Sequence, residues 1–329
     1  MKIIVVGFGT VGQGFAKTLA SSRDLLAKRG TAIQVVGLLD SKSAAVSSGG
    51  LDMMSMMERK KNTGRVGERT LSLGDVMEKV EADAVVELTP GSASGEPALS
   101  HIRDALEASK NVVTANKMPL ALQYSELLGT AKRRGVAIRY TACVGGGLPV
   151  LEFGRLCAAA EPVEKIEGVV NATTNFVLSE MERGEAYDLA LERAQGLGYA
   201  EPDPSFDVDG IDAACKVVIL ANHVLGTSFA LKDVKPLRGI AGVTQERVGR
   251  AKSKGMALRL VAEAGKSVSV SPTEVDAQSP LAAIGRSHAV VFHCKNSGER
   301  TIAGSGAGSV TTSIGVLRDL LALAEGTAA

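Results

Sequence analysis

Apolar and polar positions along this chain follow two different rhythms. Residues 3–6 are a short unbroken apolar run, the pattern of a central parallel strand buried on both faces. They lead into a glycine-rich turn and an amphipathic helix that reaches about Ser21. A second strand spans 33–39 and ends in Asp40. Between 43 and 69 the pattern weakens; the cluster Met53-Met-Ser-Met-Met57 with Glu58-Arg-Lys-Lys61 predicts a short helix whose methionines serve packing. Regular alternation then resumes, with a strand at 84–88, a helix at 96–109, a strand at 111–114, a helix at 125–134 and a strand at 136–142. Strands separated by helices in this way predict an α/β parallel-sheet domain over residues 1–143.

Beyond Cys143 the pattern is mixed. Helical periodicity appears at 149–160, 175–183, 187–197, 210–225 and 244–254, and strand-like segments at 165–170, 258–261, 268–270 and 289–294. This predicts a second, α+β domain over 144–303 with a mainly antiparallel sheet. Gly304-Ser-Gly-Ala-Gly308 opens a last helix ending near Glu325, so residues 304–329 are expected to return to the first domain.

At 329 residues, with 45% hydrophobic positions and 37 glycines, the chain has room for two cored domains rich in tight turns. A net charge of +1 gives no reason to expect nucleic acid or an anionic membrane surface as partner. Cys143, Cys157, Cys215 and Cys294 are scattered and form no CxxC pair, which suits reduced thiols in cytoplasm. No apolar stretch is long enough to span a bilayer.

Three stretches carry chemistry. Gly7-Phe-Gly-Thr-Val-Gly12 lies between a strand and a helix, the context that makes G-x-G-x-x-G a dinucleotide signature. Gly7 permits the turn, Gly9 lets a pyrophosphate approach the backbone, and Gly12 lets helix and strand pack. Asp40, at the tip of the second strand, is placed to accept from the ribose hydroxyls of NAD, whereas Lys42, Lys60 and Lys61 can hold the 2′-phosphate of NADP. Glu87-Leu-Thr-Pro90 and Thr114-Ala-Asn-Lys117 follow strands at the edge where open α/β sheets bind ligands.

In the second half, Gly198-Tyr-Ala-Glu-Pro-Asp-Pro-Ser-Phe-Asp-Val-Asp-Gly-Ile-Asp-Ala-Ala-Cys-Lys216 sets five carboxylates ahead of one lysine. Pro202 and Pro204 exclude helix from its first half. Asp209 reads as an N-cap, and on the helix that follows Asp212 and Lys216 face each other one turn apart, on a stripe along the edge of the core. The pair is either an ordinary surface salt bridge or a positioned acid. Asn171-Ala-Thr-Thr-Asn-Phe176 can cap a helix or line a polar site, and Cys143-Val-Gly-Gly-Gly-Leu-Pro149 can serve as a hinge or offer carbonyls to a cation.

Taken in order, GFGTVG, TANK, VGGGLP, NATTNF, GYAEPDPSFDVDGIDAACK and GSGAG closely resemble homoserine dehydrogenase, from the first strand to the last helix. The resemblance is to a short form without a C-terminal regulatory domain. It implies a Rossmann domain followed by an α+β catalytic and dimerisation domain, NAD or NADP as cofactor, and the interconversion of homoserine and aspartate 4-semialdehyde by a homodimer. By resemblance Lys216 is the proton donor and Lys117 the lysine near the reacting centre. Glu201, Asp207 and Asp212 hold the substrate, with Gly198, Thr173 and Asn175 in the same set. The cofactor set is Gly7, Phe8, Gly9, Thr10, Val11, Gly12, Asp40, Ser41, Thr89, Pro90, Asn116, Lys117 and Gly306. One departure concerns a monovalent cation: Thr141 stands where many members carry a glutamate ligand, which leaves only the Val144 and Gly146 carbonyls for a weak sodium site.

A lysine aimed at the carbonyl oxygen would stabilise the charge that develops there. Two other readings keep the nicotinamide motif: a two-domain dehydrogenase that reduces an imine, and a cofactor sensor without turnover. The absence of a basic DNA-facing element argues against the sensor.

Overall fold

The N-terminal apolar run forms β1 (Lys2–Val6), in which residues 3–6 are all buried. The computed structural model describes residues 1–282, 285, 287–306 and 308–326. Two compact units divide the chain, one of residues 1–147 with 308–329 and one of 148–307. The break therefore falls after Gly147, so the glycines of the hinge motif belong to the first unit.

In the first unit β1 is followed by α1 (Thr10–Ser21), α2 (Arg23–Lys28), β2 (Gln34–Leu39), β3 (Ala44–Val46), α3 (Met53–Thr63), α4 (Leu73–Lys79), β4 (Ala84–Glu87), α5 (Ala98–Glu107), β5 (Asn111–Thr114), α6 (Lys117–Arg134) and β6 (Ile138–Arg139). The sheet order is β3-β2-β1-β4-β5-β6, parallel except where β3 runs back against β2. Strand order reverses beside β1, the switch point at which such sheets bind dinucleotides. Ile3, Val5, Phe15, Val35, Leu38 and Val86 belong to the core beneath it.

Two expected elements here differ. The helix expected from 125 follows a kink at Gln123 (φ −140°, ψ 37°), and ahead of it lies a helical segment that was not expected. That segment begins at Lys117, where the Asn116 side chain accepts from the Met118 amide and Pro119 falls in the first turn, in which a missing N–H has no intrahelical acceptor. The strand expected over 136–142 is only two residues long. The Thr141 amide and hydroxyl are held by Asp319 at 2.9 and 2.8 Å, which turns Thr141–Cys143 into a 3₁₀ helix.

The second unit holds α7 (Val150–Ala158), β7 (Val163–Val169), α8 (Ala172–Glu182), α9 (Tyr187–Gly196), α10 (Ser205–Val208), α11 (Ile211–Leu225), β8 (Val234–Leu237), α12 (Gln245–Ser253), β9 (Met256–Ala264), β10 (Val268–Asp276), β11 (Ser287–Cys294) and β12 (Gly298–Ser305). Among the described residues its sheet has six strands in the order β12-β11-β7-β9-β10-β8, antiparallel throughout except for β8 beside β10. Strands β8 and β12 escape the hydrophobic pattern because they are edges whose side chains face water. The chain closes with α13 (Ser309–Ala324), which returns to the first unit and packs on α1, where Gly14 leaves room for Ser313. Gly304 and Ser305 end β12 rather than open that helix, and Ala307 of the glycine motif lies outside the described residues.

Helix α11 is the centre of the second unit. It packs on α7, β7, β9 and β10, and residues 212–222 are buried all round. Its start differs from the expectation: Asp209 does not cap it. Asp209 closes the single turn of α10, and Gly210, at φ +84°, reverses the chain into α11. That left-handed conformation is one a side chain resists.

Candidate active site

Lys216 was expected at the edge of the core. Burial on every side of α11 instead leaves it 8% exposed and Asp212 4% exposed. The Lys216 Nζ donates to Asp212 Oδ2 at 2.7 Å and to the Val170 carbonyl at 2.6 Å. Val170 directly follows β7, so sheet and helix together fix the ammonium. A surface salt bridge of small value does not describe a pair sunk this deeply.

Asn171 connects this pair to a second carboxylate. Its Nδ2 donates to Asp207 Oδ1 at 2.7 Å and to Asp212 Oδ2 at 2.8 Å. Its Oδ1 meanwhile caps α8 by accepting from the Thr174 amide. Thr173 donates its hydroxyl to Asp207 Oδ2 at 2.9 Å. Burial first, and then the negative charge of Asp212, push the Asp207 carboxyl above its usual range, against the hydrogen bonds of Asn171 and Thr173. Helix α8 starts at Ala172, three residues earlier than expected, and this brings Thr173 into the cluster. Asn171 is the residue that reading for substrate ligands missed; the signal was present, but its capping role accounted for it.

The remaining expected substrate residues are less closely drawn in. Asn175 is fully buried and donates to the Ser287 carbonyl at 3.0 Å. Gly198 is exposed at φ +69° after α9, and Glu201 is exposed in the acidic loop with its carbonyl accepting from Gln195. Gly306 is buried against the His288 ring, where a Cβ would come within 1.9 Å of Nδ1.

The first unit has a cradle of dinucleotide type. A Cβ on Gly12 would stand 2.3 Å from the Gly7 carbonyl, and one on Gly7, at φ +99°, 2.6 Å from the backbone of Leu88. A Cβ on Gly9 would meet nothing within 4 Å. Helix and strand thus close against each other while the middle of the loop stays open at the α1 N-terminus, as a bound pyrophosphate requires. Thr10 and Val11 open α1, and Phe8 is buried below. Asp40 is already engaged: Oδ1 accepts from the amides of Lys42 and Ser43, and Oδ2 pairs with Lys60 Nζ at 2.9 Å. Partial burial opposes its charge, but Lys60 and those amides outweigh it and hold the carboxyl below its usual value. Lys60 also donates to the Phe8 carbonyl at 2.9 Å, so it bridges Asp40 to the glycine loop. Ser41 is exposed beside them. Asn116 joins the two other loops by donating to the carbonyls of Thr89 and Pro90 at 3.2 and 3.3 Å, and Lys117 is the first residue of α6.

Thr141 is committed to Asp319 and accepts from Arg318. Among the described residues no group of three or more His, Cys, Asp or Glu side chains is arranged to hold a metal, and no helix is long and apolar enough to cross a membrane.

A Rossmann sheet with an open glycine cradle, joined in sequence to a unit centred on a buried lysine–carboxylate pair, defines an NAD(P)-dependent oxidoreductase. A family profile described as homoserine dehydrogenase, NAD binding domain, matches residues 7–141, and one described as homoserine dehydrogenase matches 149–321. The chain is 38% identical to the homoserine dehydrogenase of Methanocaldococcus jannaschii, over 99% of both chains. It is 34% identical to the NAD(+)-dependent homoserine dehydrogenase of Pseudomonas canavaninivorans, over 97% of this chain and 95% of that one. The crystal structure of an Archaeoglobus fulgidus protein provisionally assigned to the same activity superposes with a TM-score of 0.91 at 37% identity, covering 98% of this chain and 99% of that one. The chain belongs to the homoserine dehydrogenase family, whose activity is NAD(P)-dependent oxidation and reduction at a CH–OH group.

Proposed function

We propose that the chain interconverts L-homoserine and L-aspartate 4-semialdehyde and that its second unit carries the proton chemistry. The observation that supports this most directly is the buried Lys216, held by Asp212 and the Val170 carbonyl. An ammonium fixed on two sides keeps its third N–H for a substrate oxygen. In the reductive direction Lys216 gives that proton to the alkoxide formed at the former carbonyl carbon, and Asp212 holds the lysine in place. Bound NADH or NADPH supplies the hydride. Lys117 is the second lysine of the reaction. Asp207, Asp212 and Glu201 hold the amino and hydroxyl ends of the substrate, with Thr173, Asn175 and Gly198 in the same shell.

Gly7, Phe8, Gly9, Thr10, Val11 and Gly12 take the pyrophosphate, Asp40 and Ser41 the adenosine ribose, and Thr89, Pro90, Asn116 and Lys117 the nicotinamide half, with Gly306 also against cofactor or substrate. Lys60 beside Asp40 offers a cation for a 2′-phosphate, which makes NADP an acceptable alternative to NAD.

The resemblance of the chain also supports a cytoplasmic homodimer, joined through the sheet of the second unit, acting in the aspartate-derived route to threonine, methionine and isoleucine. Oxidation of homoserine releases one proton per turnover, so alkaline pH should favour it. Homoserine-dependent reduction of NAD or NADP is the test. Absence of turnover with both cofactors, in a folded enzyme that binds them, would overturn this reading.

A further inference from the structure

The end of β4 carries a charge that the proposed proton chemistry leaves idle. Glu87 has no exposed surface. Its Oε1 accepts from the Thr89 amide at 3.0 Å and contacts the Thr89 hydroxyl. Its Oε2 takes the Thr114 hydroxyl at 3.4 Å. That hydroxyl accepts from the Asn116 amide at 3.0 Å, and its one proton is shared between the Glu87 main-chain carbonyl at 3.3 Å and Oε2. The amide and the hydroxyl of Thr89 both converge on Oε1, the setting in which a carboxylate accepts. The Nδ1 of His101, on α5, stands 3.6 Å from Oε1, beyond hydrogen-bond reach.

Both neighbours of Glu87 lead to cofactor loops. Thr89 precedes Pro90, and Thr114 supports Asn116, whose side chain returns to the Thr89 and Pro90 carbonyls. One buried carboxylate therefore pins the loops after β4 and β5. In a sheet of this order β1 takes the pyrophosphate and β2 the adenosine ribose, which leaves β4 and β5 for the nicotinamide half. The oxidised nicotinamide ring carries one positive charge more than the reduced ring. A fixed negative charge buried under its loops favours the oxidised form.

We propose that Glu87 sets the redox balance of the bound cofactor, stabilising the oxidised over the reduced nicotinamide while it holds the two loops in place. This rests on assigning Thr89, Pro90 and Asn116 to the nicotinamide half of the site.

Titration of the whole enzyme with NAD and with NADH separately, by calorimetry and by quenching of NADH fluorescence, tests it without turnover. In Glu87→Gln the ratio of the NAD dissociation constant to that of NADH is expected to rise on the order of tenfold, the effect of one buried charge. That change equals about 30 mV in a two-electron couple. A carboxylate that only braces the loops would weaken both forms equally, and an unchanged ratio in folded Glu87→Gln overturns the proposal. Should that variant fail to fold, His101→Arg decides instead. It leaves the carboxylate in place and sets a permanent cation against it, so the ratio must rise in the same sense. Failure of the unaltered enzyme to bind either form would remove the cofactor assignment itself, which is a different result from an unmoved ratio.

Discussion

Lys216 Nζ and Asp212 Oδ2 stand 2.7 Å apart, one turn from each other on the buried stretch of a helix, and Asn171 ties the same carboxylate oxygen to a strand end. The lysine is thus the cation of a cluster that holds one buried and one half-buried carboxylate. Its removal has two separable consequences, one for rate and one for stability.

Lys216→Ala is expected to bind NAD normally and to lose roughly 10²–10⁴ in kcat for homoserine oxidation, the usual contribution of a positioned acid or base. The same variant leaves the buried Asp212 and the half-buried Asp207 without their cation. Its melting temperature should therefore fall more at pH 8, where the raised Asp207 carboxyl is more fully ionised, than at pH 5. Thermal unfolding at the two pH values checks this, and near-normal turnover would leave Lys117 as the candidate donor.

Asp207 gives the opposite sign. Its carboxyl is raised above the ordinary aspartate value of 3.8, so ionisation opposes folding and stability is lost as pH rises from 3.8 through the raised value. Asp207→Asn does not titrate. Its advantage in melting temperature over the unaltered enzyme should be small near pH 4 and grow to a plateau above the raised value, while the KM for homoserine rises.

The glycine loop separates fold from ligand. Gly9→Ala should keep the melting temperature within about a degree, because its Cβ enters open space, yet weaken NAD binding by roughly tenfold or more. Gly12→Ala puts a Cβ 2.3 Å from the Gly7 carbonyl and should lower the melting temperature by several degrees as well. Calorimetry and thermal unfolding on both variants distinguish the cases.

Cofactor choice is expected to turn on the Asp40–Lys60 pair. Asp40→Ala should raise the KM for NAD and leave that for NADP unchanged or lower. Lys60→Ala should instead raise the KM for NADP by several-fold more than that for NAD, since it leaves Asp40 to repel a 2′-phosphate unopposed. Steady-state kinetics with both cofactors, on both variants, gives the four values.

Much of this molecule is written in local patterns. Residues 3–6 are all apolar because β1 is covered on both faces, and the glycines at 7 and 12 follow from the contacts a Cβ would make. The pairing of Asp212 with Lys216 follows from helical periodicity alone. Such features depend on residues within a turn or two, and the sequence states them directly. The edge strands β8 and β12 were not legible, because an edge exposed to water lacks the alternation that marks a half-buried strand.

Depth and long-range partnership needed the tertiary structure. Nothing local to Lys216 says that β7 ends against it, and that contact turns a half-sunk lysine at the edge of a core into a buried one. Asp319 shortens the strand at Thr141 from 178 residues away, and Lys60 reaches Asp40 and Phe8 from another helix. Local sequence determined which elements form and which residue types face each other across one turn. Burial is a property of what packs on every side at once, and for these charges only the packing of distant segments decided it.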